Sequence, residues 1–595
     1  MKEKDKKTLL LVESPHKAKT IQSLLGDDYI VLASAGHILS LSKSGKDNLG
    51  IDIDNGFKPK FILDDDHIQI LQNILNAAQE CKEVIILSDP DREGWVIASH
   101  LKERLEGIDI PIRRGVFNKI TKKEILTAIK NAGDINENIV SSGIARRLLD
   151  RIVGFTSSPF LMRFFGNSLS AGRVQSPVVR LIIDREREIE SFIPQDYFTI
   201  NVSLFKGEVA FTTKYAGKLT DEQSAFSMKE RLSKDEYIIS SVISSEEAVK
   251  PPPPLITASL QKLMSKKYGI EAADTMKAAQ SLYEAGHISY IRTDSIRISD
   301  ETIEEAREYL SKNNFPIPKK SNIYENKELA QNAHEAIHPT NISLNPNETS
   351  FSNPIETKVY DMVWKYFLAS QGSPAIYETL KVSAHPIGDK SAEVRASGKA
   401  IKENGFLSIL SISDKSEITI PSLKKGETVY LCDDGISLEK KKTQPLPRYS
   451  EYKLLDEIER RGIGRPSTFA DLLSKITSRG YVIKKDNIYF PTELGKKITD
   501  ILTDSFSFLD YDYTKNMENK LDDIENGKVD KVSMLTEFWE PFKKELNAAY
   551  LKQGALICEE CGSLMVKRTI KKTGEIAICC TNLPQCWNKK TIENN

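Results

Sequence analysis

Apolar positions in the first hundred residues come in short unbroken runs separated by amphipathic stretches. TLLLV (8–12), YIVLAS (29–34) and VIILS (84–88) read as buried strands, and 16–25, about 67–80 and 94–105 read as helices. This alternation predicts an α/β unit with a mainly parallel sheet. Function in such sheets collects beyond the carboxyl ends of the strands. Glu13, Asp89 and Asp91 stand at those ends.

Two distant segments repeat another pattern. In 258–295, ASLQKLMSKKYG and TMKAAQSLYEAG precede an extended HISYIRTDS; in 450–490, SEYKLLDEIERRG and TFADLLSKITSRG precede YVIKKDNIYF. Helix, turn, helix, glycine, strand is the order of a winged helix-turn-helix; two unrelated helical hairpins fit the pattern equally well. Segments 198–250 and 378–444 alternate and are rich in β-branched residues, so they read as strands that pair across the gap. The prolines at 251–254 mark a boundary.

At 595 residues the chain requires several domains. Its 40% hydrophobic and 28% charged residues are ordinary for a globular protein. The apolar run near the N-terminus is too short for a signal peptide or a membrane span, so a cytoplasmic protein without membrane association is expected. A net charge of -1 does not exclude nucleic acid, because binding depends on local clustering. Between 146 and 188 the arginines 146, 147, 151, 163, 173, 180, 185 and 187 outnumber the acids Asp150, Asp184, Glu186 and Glu188.

SDPDREG (88–94) places Asp89 and Asp91 two apart at a strand end, with Glu93 opening the next helix. Such hard oxygen donors suit magnesium, which commonly works on phosphate, and Glu13 on a neighbouring strand completes the set. Taken alone, the motif is also an ordinary capped loop. Lys17 lies four residues beyond Glu13 and shares its side of a helix, placed to neutralise phosphate or protonate a leaving oxygen. Tyr290 and Arg292 share a strand face, a pairing that suits attack on phosphorus with a guanidinium holding the free oxygens. A buried tyrosine beside an exposed arginine is equally a structural commonplace. His37 and His334 carry the same ambiguity between phosphate binding and structure.

Seven cysteines fall unevenly. Cys81 and Cys432 stand alone, whereas Cys558, Cys561, Cys579, Cys580 and Cys586 crowd the C-terminus with the spacing of a zinc ribbon. Either Cys579 or Cys580 could be the third ligand. Lys567, Arg568, Lys571, Lys572 and Trp587 on that ribbon favour single-stranded DNA.

VESPHKAKTI, SDPDREG, ARRLLDRIVG, LSAGRVQSPVVRLIIDRERE, LYEAGHISYIRTDS, AHEAIHPT and RRGIGRPSTFADLLSKITSRGYV occur in this order from residue 12 to about 500. Together they resemble a type IA DNA topoisomerase, in particular the bacterial topoisomerase I branch. The acidic motif alone also resembles primases and nucleases that share the magnesium-binding Toprim module.

The resemblance implies a torus of α/β and α+β domains. These are a Toprim domain (1–140), a winged-helix-like gate domain (141–197 and 445–550), a β-rich arch (198–254 and 378–444), a winged-helix-like domain with the nucleophile (255–377) and a zinc ribbon (551–595). It implies ATP-independent relaxation of negatively supercoiled DNA, with topoisomerase III-like decatenation as the alternative, by a monomer acting on single-stranded segments and nucleoid-associated in a bacterium. Tyr290 would form a 5′-phosphotyrosine, Glu13 and Lys17 assist the 3′ oxygen, Arg292 steady the phosphate, and Glu13, Asp89, Asp91 and Glu93 hold magnesium. His37, Arg146, Arg147, Arg151, Ser170, Arg173, Gln175, His334 and Arg479 map to DNA-contacting positions. Cys558, Cys561, Cys580 and Cys586 map to zinc ligands, because CTNLPQC fits the family's closing turn. A phosphotyrosine conserves the energy of the phosphodiester, and no GxxxxGK[ST] loop occurs. Three departures stand out: Lys119 in FNKIT, where the family has glutamate; Trp95 after DREG, where it often has an acid; and GHILSLS, which lacks Asp-Leu-Pro.

Overall fold

The computed structural model describes residues 6–45, 48–166, 169–326, 334–351, 353–412, 420–569, 576–582 and 585–591. Lys571 and Lys572 lie outside these residues, as does the side chain of Arg568.

Thr8–Val12 runs parallel between Tyr29–Ala33 and Glu83–Ile86, and Ile112–Arg114 adds a parallel edge strand. Every residue of Thr8–Val12 is buried, as a parallel strand covered on both faces requires. Leu10 and Val12 enter one core, Leu9 and Leu11 another. The third strand stops at Ile86, short of the expected residue 88, although Leu87 N still donates to Leu11 O at 2.7 Å. Beyond it, Arg114 takes the chain out of the ladder by binding Ser88 Oγ and Asp89 O.

Helix Pro15–Leu25 starts where Ser14 caps Lys17 N and proline fills the first turn. Its buried stripe is Lys17, Ile21 and Leu25, spaced by four, so Lys17 faces inward with the apolar residues. Helix Arg92–Leu105 begins two residues earlier than expected because Asp91 accepts from Gly94 N at 2.9 Å. A Cβ at Gly94 would lie 2.2 Å from Asp89 O, so only glycine lets the acidic loop fold onto this helix.

Strands from the two β-rich segments close into one six-stranded antiparallel barrel. Around it run Val209–Tyr215, Val394–Glu403, Ala375–Pro386, Glu236–Val249, Thr428–Lys442 and Asp196–Lys206. Closure leaves no free edge.

The two similar segments diverge after their helices. Glu451–Arg461 and Pro466–Ser478 are followed by a hairpin, Val482–Lys485 with Ile488–Pro491. Thr257–Tyr268 and Ala272–Glu284 are followed by no regular strand, which corrects the strand expected to carry Tyr290. Ile288 makes one isolated bridge to Pro339, Ser289 N donates to His338 O, and Tyr290 N donates to Asn118 O at 2.7 Å. Successive amides thus go to different partners, and no ladder forms.

One apolar core runs across the boundary between the parallel-sheet module and the tyrosine-bearing segment. It holds Val12, Ile85, Phe117 and Ile120 together with Leu282, Ile288 and Ile291. Burial of each such side chain contributes about 1.5–3 kcal/mol. A four-stranded antiparallel sheet, Leu556–Ile557, Leu564–Thr569, Ile576–Cys580 and Lys589–Thr591, carries the cysteine cluster. Among the described residues, no helix is long and apolar enough to cross a membrane.

Candidate functional site

The acidic loop and the tyrosine-bearing segment meet over the carboxyl edge of the parallel sheet. Tyr290 Oη donates to Asp91 Oδ2 at 2.5 Å. Arg292 Nη1 lies 2.9 Å from Glu93 Oε2 and 3.5 Å from Asp91 Oδ2. The same-side placement of Tyr290 and Arg292 is therefore present without a regular strand. Tyr290 is only 2% exposed, and burial first, then the charges of Asp91 and Asp89, push its phenol well above its ordinary value.

Beneath the tyrosine, Lys17 Nζ lies 2.5 Å from Asp89 Oδ1 and 3.7 Å from Glu13 Oε2. Glu13 Oε1 accepts from Asp89 N at 2.8 Å. Burial, and next the Asp89 charge, raise the Glu13 carboxyl well above the usual range despite Lys17. Acid crowding that one lysine does not neutralise is the electrostatic signature of a site suited to a cation.

Glu93, by contrast, is held down to about 2, first by its hydrogen bond to His37 and, against burial, by Arg292. His37 Nε2 lies 3.3 Å from Glu93 Oε1, and Arg147 Nη1 lies 3.3 Å from His37 Nδ1. His334 stands at the other flank, with its ring 6.0 Å from that of Tyr290 and Nε2 3.3 Å from Pro90 O.

Two groups at this site escaped sequence reasoning. Arg114 donates to Ser88 Oγ at 3.1 Å and Asp89 O at 2.7 Å, and its guanidinium lies 3.5 Å over the Trp95 ring. Its signal was available, since it closes a parallel strand at the same sheet edge. Tyr283 Oη donates to Asp89 Oδ1 at 3.1 Å from the second helix of its pair. Nothing in its helical periodicity distinguishes it from a core aromatic.

A groove of about 490 Å³ adjoins the site, lined among others by His37, Arg146, Arg147, Arg292 and Arg465. Arg151, Ser170, Arg173, Gln175 and Arg479 lie outside its lining. Arg151 donates to Leu41 O at 3.3 Å and lies over Phe155; Gln175 donates to Ser170; Arg479 is exposed at the end of helix Pro466–Ser478. Arg173 is enclosed, paired with Asp150 at 2.9 Å and Glu518 at 2.8 Å. In this conformation it braces two helices instead of presenting a surface to DNA.

Among the described residues, only Cys558, Cys561, Cys580 and Cys586 bring three or more potential metal-binding atoms within 4.8 Å of one another. Cys579 Sγ instead points to Ala577 O. The carboxylates are set more widely, which suits an ion that keeps several waters.

The profile of the Toprim domain family matches residues 8–120, and that of the DNA topoisomerase family matches residues 134–536. DNA topoisomerase 1 of Pseudomonas aeruginosa is 36% identical over 95% of this chain and 70% of the relative. That of Campylobacter jejuni is 36% identical over 99% of this chain and 87% of the relative. The solved full-length topoisomerase I of Thermotoga maritima superposes with a TM-score of 0.81 at 32% identity and 98% coverage of both chains.

Proposed function

This chain belongs to the DNA topoisomerase family, and we propose that it is a type IA enzyme that relaxes negatively supercoiled DNA without ATP. It cuts one strand through Tyr290, passes the other strand and reseals the break. The observation that carries this reading is the meeting of Tyr290 Oη with Asp91 across two segments 199 residues apart.

Attack by Tyr290 Oη forms a bond to phosphorus at the 5′ end and breaks the bond from phosphorus to the 3′ oxygen. Asp91 accepts the phenol proton. Glu13 and Lys17, 3.7 Å apart, stand together to supply the departing oxygen with its proton. Arg292 holds the non-bridging oxygens. His37, Arg147 and His334 flank the strand. Attack by the 3′ hydroxyl returns each proton and releases the tyrosine. Glu13, Asp89, Asp91 and Glu93 fit magnesium by donor type, as hard carboxylate oxygens gathered at one sheet edge, and the bound ion would neutralise phosphate charge. Because Tyr290 is buried, the phosphodiester reaches it only when the groove widens.

The same reading assigns 450–490 and 258–295 as winged-helix-like units, the barrel as the arch of a torus closed by one chain, and the C-terminal sheet as a zinc ribbon. Four thiolates at this spacing suit tetrahedral zinc. The chain's domains are 1–140, 141–197 with 445–550, 198–254 with 378–444, 255–377 and 551–595.

Relaxation of negatively supercoiled plasmid with magnesium and without nucleotide tests the proposal, together with denaturing capture of end-labelled single-stranded DNA. Tyr290→Phe abolishes both relaxation and capture. A covalent adduct in that variant, or label retained on the wrong end, rejects the assignment.

A further inference from the structure

Lys119 follows Asn118, the residue whose carbonyl receives the Tyr290 N–H at 2.7 Å. Lys119 Nζ donates to Thr302 Oγ1 at 3.0 Å and lies 3.5 Å from Glu335 Oε2. Glu335 is itself anchored, accepting from Ser299 N at 3.0 Å and meeting His338 Nε2 at 3.2 Å. Lys119 belongs to the parallel-sheet module, whereas Thr302 and Glu335 belong to the tyrosine-bearing segment, so these contacts span the boundary that Tyr290 spans.

The Lys119 and Glu335 side chains are 16% and 18% exposed, so solvent screens their attraction only partly. Lys123 and Glu301 cross the same boundary but are 71% and 67% exposed, where an ion pair adds little. Glutamate at position 119, as in the resembling FNEIT pattern, would face Glu335 with like charge. The lysine of this chain turns that position into an attraction.

We propose that Lys119, Thr302 and Glu335 form a clasp that holds Asn118 against the Tyr290 backbone and sets the nucleophile over the metal-binding acids. The clasp rests on the reading of Tyr290 as the nucleophile. Lys119 acts through Asn118 and is a positioning residue. Its loss loosens the tyrosine without removing any group that touches phosphate.

Hydrogen exchange of the full-length protein, read on peptides covering 286–293, tests the clasp without catalysis. Lys119→Met and Glu335→Gln each speed exchange there by about tenfold, the size of coupling common between contacting groups. Single-turnover capture of an oligonucleotide slows by a similar factor, while oligonucleotide affinity stays at its wild-type value. Lys119→Arg, which keeps the charge, restores both readings. The double variant is no worse than either single one, because one contact is lost only once. Wild-type exchange in both single variants, or multiplied losses in the double variant, overturns the clasp. Failure of Tyr290 as the nucleophile appears separately, as unchanged capture by Tyr290→Phe.

Discussion

The helix pairs at 257–284 and 451–478 each place a tyrosine phenol against a carboxylate, but the two acids differ in origin and company. Tyr489 Oη meets Glu451 at 3.1 Å within its own unit, and Lys484 binds the same acid. Tyr290 Oη meets Asp91 from a different module, in a cluster where Asp89 and Glu13 add further negative charge. Burial is the first cause of an upward shift in both phenols, so titration alone does not separate them. What separates them is origin and company. Glu451 belongs to its own unit and is bound by Lys484, whereas Asp91 comes from another module and stands with Asp89 and Glu13, Arg292 lying 3.5 Å away.

The sharpest contrast is between two conservative substitutions. Tyr290→Phe eliminates the covalent DNA adduct, whereas Tyr489→Phe retains it; loss of the adduct from the second variant would erase the distinction. Next in size is Glu451→Ala. It leaves the Ala272 N–H at 2.6 Å and the Tyr489 hydroxyl without their shared acceptor, while Lys484 keeps Glu271 at 3.0 Å. Thermal unfolding should register a loss of about 1–3 kcal/mol, the cost of buried donors left without an acceptor. A loss confined to a few tenths would mean that this acid is not what joins the helix pairs. Tyr489→Phe by itself costs about 1 kcal/mol on the same measurement, the net worth of one hydrogen bond.

Acid stability supplies a further contrast. Burial opposes ionisation of Glu335, yet His338, Lys119 and Ser299 hold its carboxyl down to about 2 from a usual 4.5. A carboxylate depressed on folding contributes stability that is fully present above its unfolded value and disappears as pH falls through its folded value. Unfolding curves between those two values should therefore be flatter for Glu335→Gln than for the parent chain. Equal slopes would remove the tyrosine-bearing segment's claim to a charged anchor.

The sequence by itself determined the alternation of strand and helix in the first module, the placement of Glu13, Asp89 and Asp91 at strand ends and the spacing of the cysteines. All of these are local, because an apolar period or a ligand spacing is written within a few residues. Spacing alone left Cys579 and Cys580 open, the resemblance of CTNLPQC favoured Cys580, and the turn of the strand places Cys580 in the cluster. Tertiary structure alone decided that Tyr290 rests on Asp91, that Tyr283 and Arg114 hold Asp89, and that Arg173 is enclosed by Asp150 and Glu518. It also decided that the segment carrying Tyr290 is not a regular strand. Its amides are shared between Asn118 and His338, far apart in the chain, and a repeating side-chain pattern carries no record of which distant carbonyl will accept each hydrogen.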